Sequence, residues 1–186
     1  MKSQILSELE RIEIENDISV IYACESGSRA WGFNRSDSDY DVRFIYRKNN
    51  AREYVALSEK SEVIESADGD LDIVGWDVKK ALKLHRNSNP NLREWILSPI
   101  VYIDWREDIF RDLPDFDMAV LKFHYTNIAV NNWRFLKNDQ EASKKAIKMY
   151  LYNSRCVLVW MIINDGKNPH INIFDLLNQA DLPSDV

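Results

Sequence analysis

The segment from Cys24 to Tyr46, CESGSRAWGFNRSDSDYDVRFIY, constrains this chain more than any other. Ile18 to Ala23, just before it, is rich in Ile, Val and Tyr and reads as a strand, and Glu25-Ser26-Gly27-Ser28 can turn the chain into a short helix beginning near Ser28. Tyr40, Val42, Phe44 and Tyr46 then alternate with Asp41, Arg43 and Ile45, the period of a second strand. Asp37, Asp39 and Asp41 stand two apart at its entrance. Residues i and i+2 of a strand point to one face, so Asp39 and Asp41 put two carboxylates side by side. Like charges that close repel unless a cation lies between them. Mg²⁺ is the matching partner, being a hard cation commonly held by one or two carboxylates plus substrate phosphates. A calcium-loop reading of the three acids fails, because Val42 and Lys48 stand where such a loop needs Gly and Glu. Asp37 reads as a turn residue.

A third carboxylate has a similar setting. Asp72 lies in Leu71-Asp72-Ile73-Val74, an acid between apolar neighbours on an expected strand. Alone it is an ordinary solvated acid, but beside Asp39 and Asp41 it supplies the extra ligand of a two-metal phosphoryl-transfer centre. Gly27 permits close approach of the backbone to a ligand, and Ser28 offers a hydroxyl near a helix N-terminus, the setting in which phosphate is bound. The ten residues between Ser28 and Asp39 let a short helix run out and the chain return on the adjacent strand. Arg29, Arg43 and Lys80 are, from their positions, candidate charge partners of phosphate; an Arg beside carboxylates serves equally well to neutralise them.

Around this segment the pattern is α+β in the first half and helical in the second. Ile5, Leu6, Leu9 and Ile12 recur at helical spacing in 3–15, and Ala67-Asp68-Gly69-Asp70 joins two β-prone runs as a hairpin. Asp77 is a good N-cap for a helix over 78–86, Ser88-Asn89-Pro90 breaks it before another over 91–97, and 99–104 is a further short strand. Two long amphipathic series follow, Met118, Leu121, Tyr125, Ile128, Asn132 and Leu136, then Ala142, Ala146, Met149, Asn153, Cys156, Trp160 and Ile163, with a last short helix over 171–180. The break at 112–117 divides the chain into a lobe of residues 1–112 and a helical lobe of residues 113–186. Trp95, Trp105, Trp133 and Trp160 read as core residues on helical faces, and His85, His124 and His170, with no partner at ligand spacing, as packing or surface residues.

Charge is distributed unevenly. The net charge is −6, yet 122–155 carries seven bases against two acids, while 1–76 carries nine bases against sixteen acids. Acids holding metal ions opposite cations holding a polyanion would give that pattern, and so would a solvated helix face bearing Lys144, Lys145 and Lys148. The longest apolar run, Val157 to Ile163, is far short of the roughly 20 residues of a membrane helix. The acidic N-terminus lacks the features of a signal peptide, and two cysteines in unrelated segments suit reduced thiols; the expectation is a cytoplasmic protein without a membrane partner.

Gly27-Ser28, ten residues, Asp39-Tyr40-Asp41 and a later Asp72 between apolar residues resemble the signature of DNA polymerase beta superfamily nucleotidyltransferases. More narrowly, GSRAWGFNRSDSDYDVRFIY with LDIVGWDVKKALKLHRNSNPNLREWILSPIVY resembles the nucleotidyltransferase family that includes RNA-ligase-associated polymerase-beta-like proteins. The resemblance implies an α+β fold, a minimal mixed-sheet nucleotidyltransferase core followed by an α-helical lobe that in the family extends past Val186. It implies two Mg²⁺ or Mn²⁺ ions, Asp39 and Asp41 binding both and Asp72 the catalytic one, where it also assists deprotonation of the attacking hydroxyl. Gly27 and Ser28 would hold the triphosphate of an NTP. The expected reaction is transfer of a nucleoside monophosphate to an acceptor hydroxyl, an RNA or DNA 3′ end above all. Transfer to a protein partner, as in antitoxin nucleotidyltransferases, and a nucleotide-binding module without turnover remain open, as do the choice of NTP and the oligomeric state.

Overall fold

The computed structural model describes residues 1–55, 61–105, 107–138 and 144–182. Helix α1 (Lys2–Asn16) leads into β1 (Ile18–Glu25), α2 (Gly27–Trp31) and β2 (Tyr40–Lys48). A single 3₁₀ turn (Ala51–Tyr54) precedes β3 (Val63–Asp68), β4 (Leu71–Asp77), α3 (Val78–Arg86), α4 (Pro90–Ile96), β5 (Val101–Asp104) and α5 (Glu107–Phe110). Helices α6 (Met118–Asn138), α7 (Lys144–Asn164) and α8 (Ile173–Gln179) complete the order. The chain divides into two compact units, Met1–Arg86 with Asn91–Asp115, and Asn87–Pro90 with Phe116–Val186.

The first unit is α+β, with the expected mixed sheet. Its strand order is β3-β4-β2-β1-β5, and β2 and β4 pair in parallel while the other pairs are antiparallel. The alternation of Tyr40–Lys48 has its cause in one face of this sheet. Val42, Phe44 and Tyr46 join Ala23, Val20, Leu71 and Ile73 against Ile5, Leu9 and Ile12 of α1, in a single cluster. Each Val, Leu, Ile or Phe side chain so buried contributes about 1.5–3 kcal/mol, which fixes the register, because a slip of one residue would turn the whole apolar set outward. Gly75 is part of the same fit: a Cβ there would lie 2.1 Å from the Phe44 ring. The hairpin turn is the two-residue Gly69-Asp70, with Asp68 opposite Leu71, so β3 runs two residues further than the composition of 67–70 suggests. Asp77 caps α3 as expected, its Oδ1 accepting the Lys79 N–H at 2.8 Å.

The second unit is helical. Leu121 and Tyr125 of α6, Cys156, Val159, Ile162 and Ile163 of α7 and Leu176 of α8 form its core, with Met118 and Ile128 packed against it. Ala142 lies outside the described residues, and of Lys144 only the backbone is described. The tryptophans depart from expectation. Trp95 is buried, but Trp105 is 61% exposed just beyond β5 and Trp133 is 55% exposed on α6, because the buried face of that helix is already taken by the Leu121, Tyr125 and Leu136 stripe. His85 packs on the Phe110 ring at 5.5 Å, and burial pushes its pKa down. Cys24 and Cys156 are buried and form no disulfide. No helix among the described residues is long and apolar enough to cross a membrane.

Candidate active site

At one end of the sheet β1 finishes and β2 and β4 begin, and three short segments of the sequence meet there. The parallel register sets Asp41 directly opposite Asp72, with neighbouring strands about 4.8 Å apart. Asp39 stands two residues before Asp41, outside β2 and exposed. The antiparallel register sets Glu25, the last residue of β1, opposite Val42, which carries the following Gly27 to Asp41. Ser26 N–H donates to the Asp41 carbonyl at 2.8 Å. Gly27 has φ +58°, and a Cβ built on it would fall 2.0 Å from Asp41 Oδ2. The bare glycine backbone is therefore the wall against which the Asp41 carboxylate rests.

Arg43 lies on the same face two residues on. Its Nη2 donates to Asp41 Oδ1 at 3.1 Å and to Asp72 Oδ2 at 2.8 Å, and its Nη1 to the Asp72 carbonyl at 2.9 Å. One guanidinium thus bridges the two strands and answers both carboxylates. Burial still pushes the Asp41 pKa above the usual carboxylate range, and Asp72 and Asp39 push the same way while Arg43 opposes. Asp72 is the open member of the pair, with its side chain half exposed against 29% for Asp41.

Not every expected site residue joins this cluster. Ser28 lies in the first turn of α2, one residue beyond Gly27. Arg29 is close by but turned to the backbone, with Nη2 on the Ser38 carbonyl at 2.6 Å and Nε on the Asp39 carbonyl at 3.1 Å. Lys80 lies past the far end of β4, its ammonium 5.6 Å from the centroid of the Trp76 ring, and is not brought to the carboxylates. Asp37 pairs with Arg35 at 3.0 Å at the surface, as a turn residue does.

Glu25 is the residue that sequence reading missed. It is 1% exposed, its Oε1 accepts the Asp41 N–H at 2.9 Å, and its Oε2 accepts the Tyr102 hydroxyl. Burial raises its pKa, against the lowering effect of these two hydrogen bonds. Ser98 Oγ donates to the Glu25 carbonyl at 2.6 Å and anchors the end of β1 from the other side. In sequence the only sign is an acid at the end of an apolar run, where a turn is the ordinary reading.

Among the described residues no three Asp, Glu, His or Cys side chains form a ready-made metal cage. The donors that do converge, Asp41 and Asp72 with Asp39 beside them, are all hard oxygens. That set fits Mg²⁺, which is held by one or two carboxylates with waters and substrate phosphates completing its shell rather than by an all-protein cage.

Residues 1–185 match the family described as the RNA repair pathway DNA polymerase beta family, RlaP. The chain is 40% identical over 185 residues to the uncharacterized protein YcgL of Bacillus subtilis (strain 168), covering 96% of this chain and 70% of that one. Among solved structures it is similar to a nucleotidyltransferase-like protein from Exiguobacterium sibiricum 255-15, with a TM-score of 0.39 and 11% identity, covering 98% of this chain and 62% of that one.

Proposed function

The chain belongs to the RNA repair pathway DNA polymerase beta family, and from that premise we propose that it transfers a nucleoside monophosphate from an NTP to the 3′ hydroxyl of a nucleic acid. The observation that carries the reading is the β2–β4 register, which sets Asp72 beside Asp41 at the sheet end where Gly27 and Asp39 also lie. In such a transfer the acceptor oxygen bonds to the α-phosphorus as the bond to pyrophosphate breaks. Asp39 and Asp41 would hold two divalent cations and Asp72 would share the one nearer the acceptor. Bound there, Mg²⁺ supplies charge neutralisation on the triphosphate and acidifies the attacking hydroxyl. Asp72, the more solvent-accessible carboxylate of the pair, is the group to which the hydroxyl proton passes. Gly27 brings a backbone without a side chain to the triphosphate, and the Ser28 hydroxyl donates to a phosphate oxygen. The rest of the rate comes from holding the acceptor in line with the scissile bond.

A nucleic-acid acceptor is favoured by the family description and by the excess of bases over 122–155. The test is a transfer assay with Mg²⁺ or Mn²⁺, each α-labelled NTP, and RNA, DNA and protein acceptors, with Asp41→Asn in parallel. Label on an RNA or DNA end with the wild type and not the variant is the expected result. Label on a protein would overturn the acceptor assignment, and NTP binding without transfer to any acceptor would overturn the enzyme reading.

A further inference from the structure

Arg29 is a cation beside an expected phosphate cradle, but its guanidinium grips protein. Nη2 is on the Ser38 carbonyl and Nε on the Asp39 carbonyl, at 2.6 and 3.1 Å, and Cζ lies 3.7 Å from the centroid of the Tyr40 ring. The three contacts fall on three consecutive residues. The next residue is gripped from below, where the buried Glu25 carboxylate, held by Tyr102, accepts the Asp41 N–H at 2.9 Å. Every residue from Ser38 to Asp41 is thus tied by a side chain from the five-residue stretch Glu25 to Arg29.

We propose that Arg29 and Glu25 are positioning residues that fix the backbone of residues 38–41, and through it the directions of the Asp39 and Asp41 carboxylates, and that Arg29 is not a phosphate ligand. The inference rests on the carboxylate-site reading above. Its physical ground is that Asp39 precedes β2 and has no strand-ladder partner of its own, so that apart from the Tyr40 N–H on the Asp70 carbonyl at 2.8 Å its direction rests on Arg29, while a displacement of about 1 Å at a reacting centre can cost about 100-fold in rate. A planar guanidinium can bind two carbonyls and stack on a ring at once, and an ammonium cannot. Glu25 acts in the same way on Asp41, where an acceptor is needed and a charge is not.

The test uses two readouts that require no turnover. One is Mn²⁺ affinity without nucleotide, measured from the electron paramagnetic resonance signal of free Mn²⁺. The other is amide hydrogen exchange over residues 38–41, in which the Asp41 amide reports Glu25 directly, and the Ser38 and Tyr40 amides, which donate to the Arg35 and Asp70 carbonyls, report Arg29 through the mobility of the backbone it holds. Arg29→Lys is expected to speed exchange of the Ser38 and Tyr40 amides at least tenfold and to weaken Mn²⁺ binding at least tenfold. Glu25→Ala is expected to do the same at Asp41, and Glu25→Gln, which keeps the acceptor, to restore slow exchange there. Should Arg29→Lys fail to fold, Tyr40→Leu removes the stacking partner alone and is expected to speed the same amides. Exchange and Mn²⁺ affinity within twofold of wild type in Arg29→Lys would overturn the proposal, since a phosphate ligand would leave both unmoved. A wild type that binds no Mn²⁺ overturns the metal site of the proposed function instead. Exchange then decides the positioning role alone, faster amides supporting it and unchanged amides refuting it.

Discussion

Replacing Gly27 with alanine separates two costs that usually come together. The first is conformational: at φ +58° an L side chain costs about 1–2 kcal/mol. The second is steric, because the new methyl would lie 2.0 Å from Asp41 Oδ2, 2.8 Å from its Cγ and 3.3 Å from its Cβ. A long side chain could swing its tip away, but here the clash reaches back to Cγ, and Oδ1 is held by Arg43. Overpacking of this kind costs about 1–3 kcal/mol. Gly69 supplies the control: its φ is +57°, and a Cβ there meets nothing within 4 Å. Gly69→Ala therefore carries the conformational cost alone, along with the same gain from a stiffer unfolded chain. Gly27→Ala should be less stable than Gly69→Ala by about 1–3 kcal/mol, or about 0.5–1.5 M in urea midpoint for a slope near 2 kcal/mol/M. If the Asp41 carboxylate yields instead, the cost moves into a loss of Mn²⁺ affinity. Equal urea midpoints for the two variants, with Mn²⁺ affinity unchanged in Gly27→Ala, would refute the claim that Asp41 rests on bare glycine backbone.

Two further predictions concern charge. The Asp41 pKa is raised on folding, chiefly by burial, so the native state binds protons more readily than the unfolded chain. The ionised carboxyl then subtracts from stability, an effect absent below the ordinary value of 3.8, growing as pH rises from there to the raised one and constant above it. Asp41→Asn should abolish transfer yet raise the urea midpoint at pH 7.5 in chelator, with the gain vanishing near pH 3; a midpoint lower at both pH values would contradict the sign. If nucleic acid is the acceptor, Lys145→Glu with Lys148→Glu should weaken binding of a labelled oligonucleotide and flatten its dependence on log salt concentration by about two slope units. An unchanged slope would remove α7 from the interface.

The parts of the fold legible in the sequence are those fixed by local periodicity and chain punctuation. The apolar alternation of β2, the Asp77 cap and the helical repeats of α6 and α7 each follow from a few adjacent residues, and the structure has them where those residues require. The pairing of Asp41 with Asp72 was legible in part, each being an acid among apolar β-prone neighbours that the parallel register sets opposite the other, while Asp39 was read only from its spacing of two from Asp41. Glu25 was hidden because its purpose exists only once β1 lies between β2 and β5, bringing Asp41 and Tyr102 to its two oxygens. Arg29 and Lys80 show the opposite case. A cation near a phosphate motif can face ligand, ring or carbonyl, and nearness in sequence does not choose among them. Trp133 illustrates the same limit in the helices, where the apolar stripe of α6 was clear but its width was not.

The arrangement of charge also explains why this end of the sheet is built from braces rather than from packing. Two unit charges about 5 Å apart repel by about 3 kcal/mol at an effective dielectric of 20, and solvent reduces this at half-exposed Asp72. Arg43 offsets part of it by hydrogen bonding to both carboxylates. An apolar wall would deepen the penalty by removing the water that screens the two charges. Asp41 and Asp39 are braced through their backbones as well, by Ser26 and Glu25 at Asp41 and by Arg29 at Asp39. Such backbone braces take up no carboxylate oxygen, so it is the Arg43 hydrogen bonds that an incoming cation and its phosphates would have to share or displace at Asp41 and Asp72.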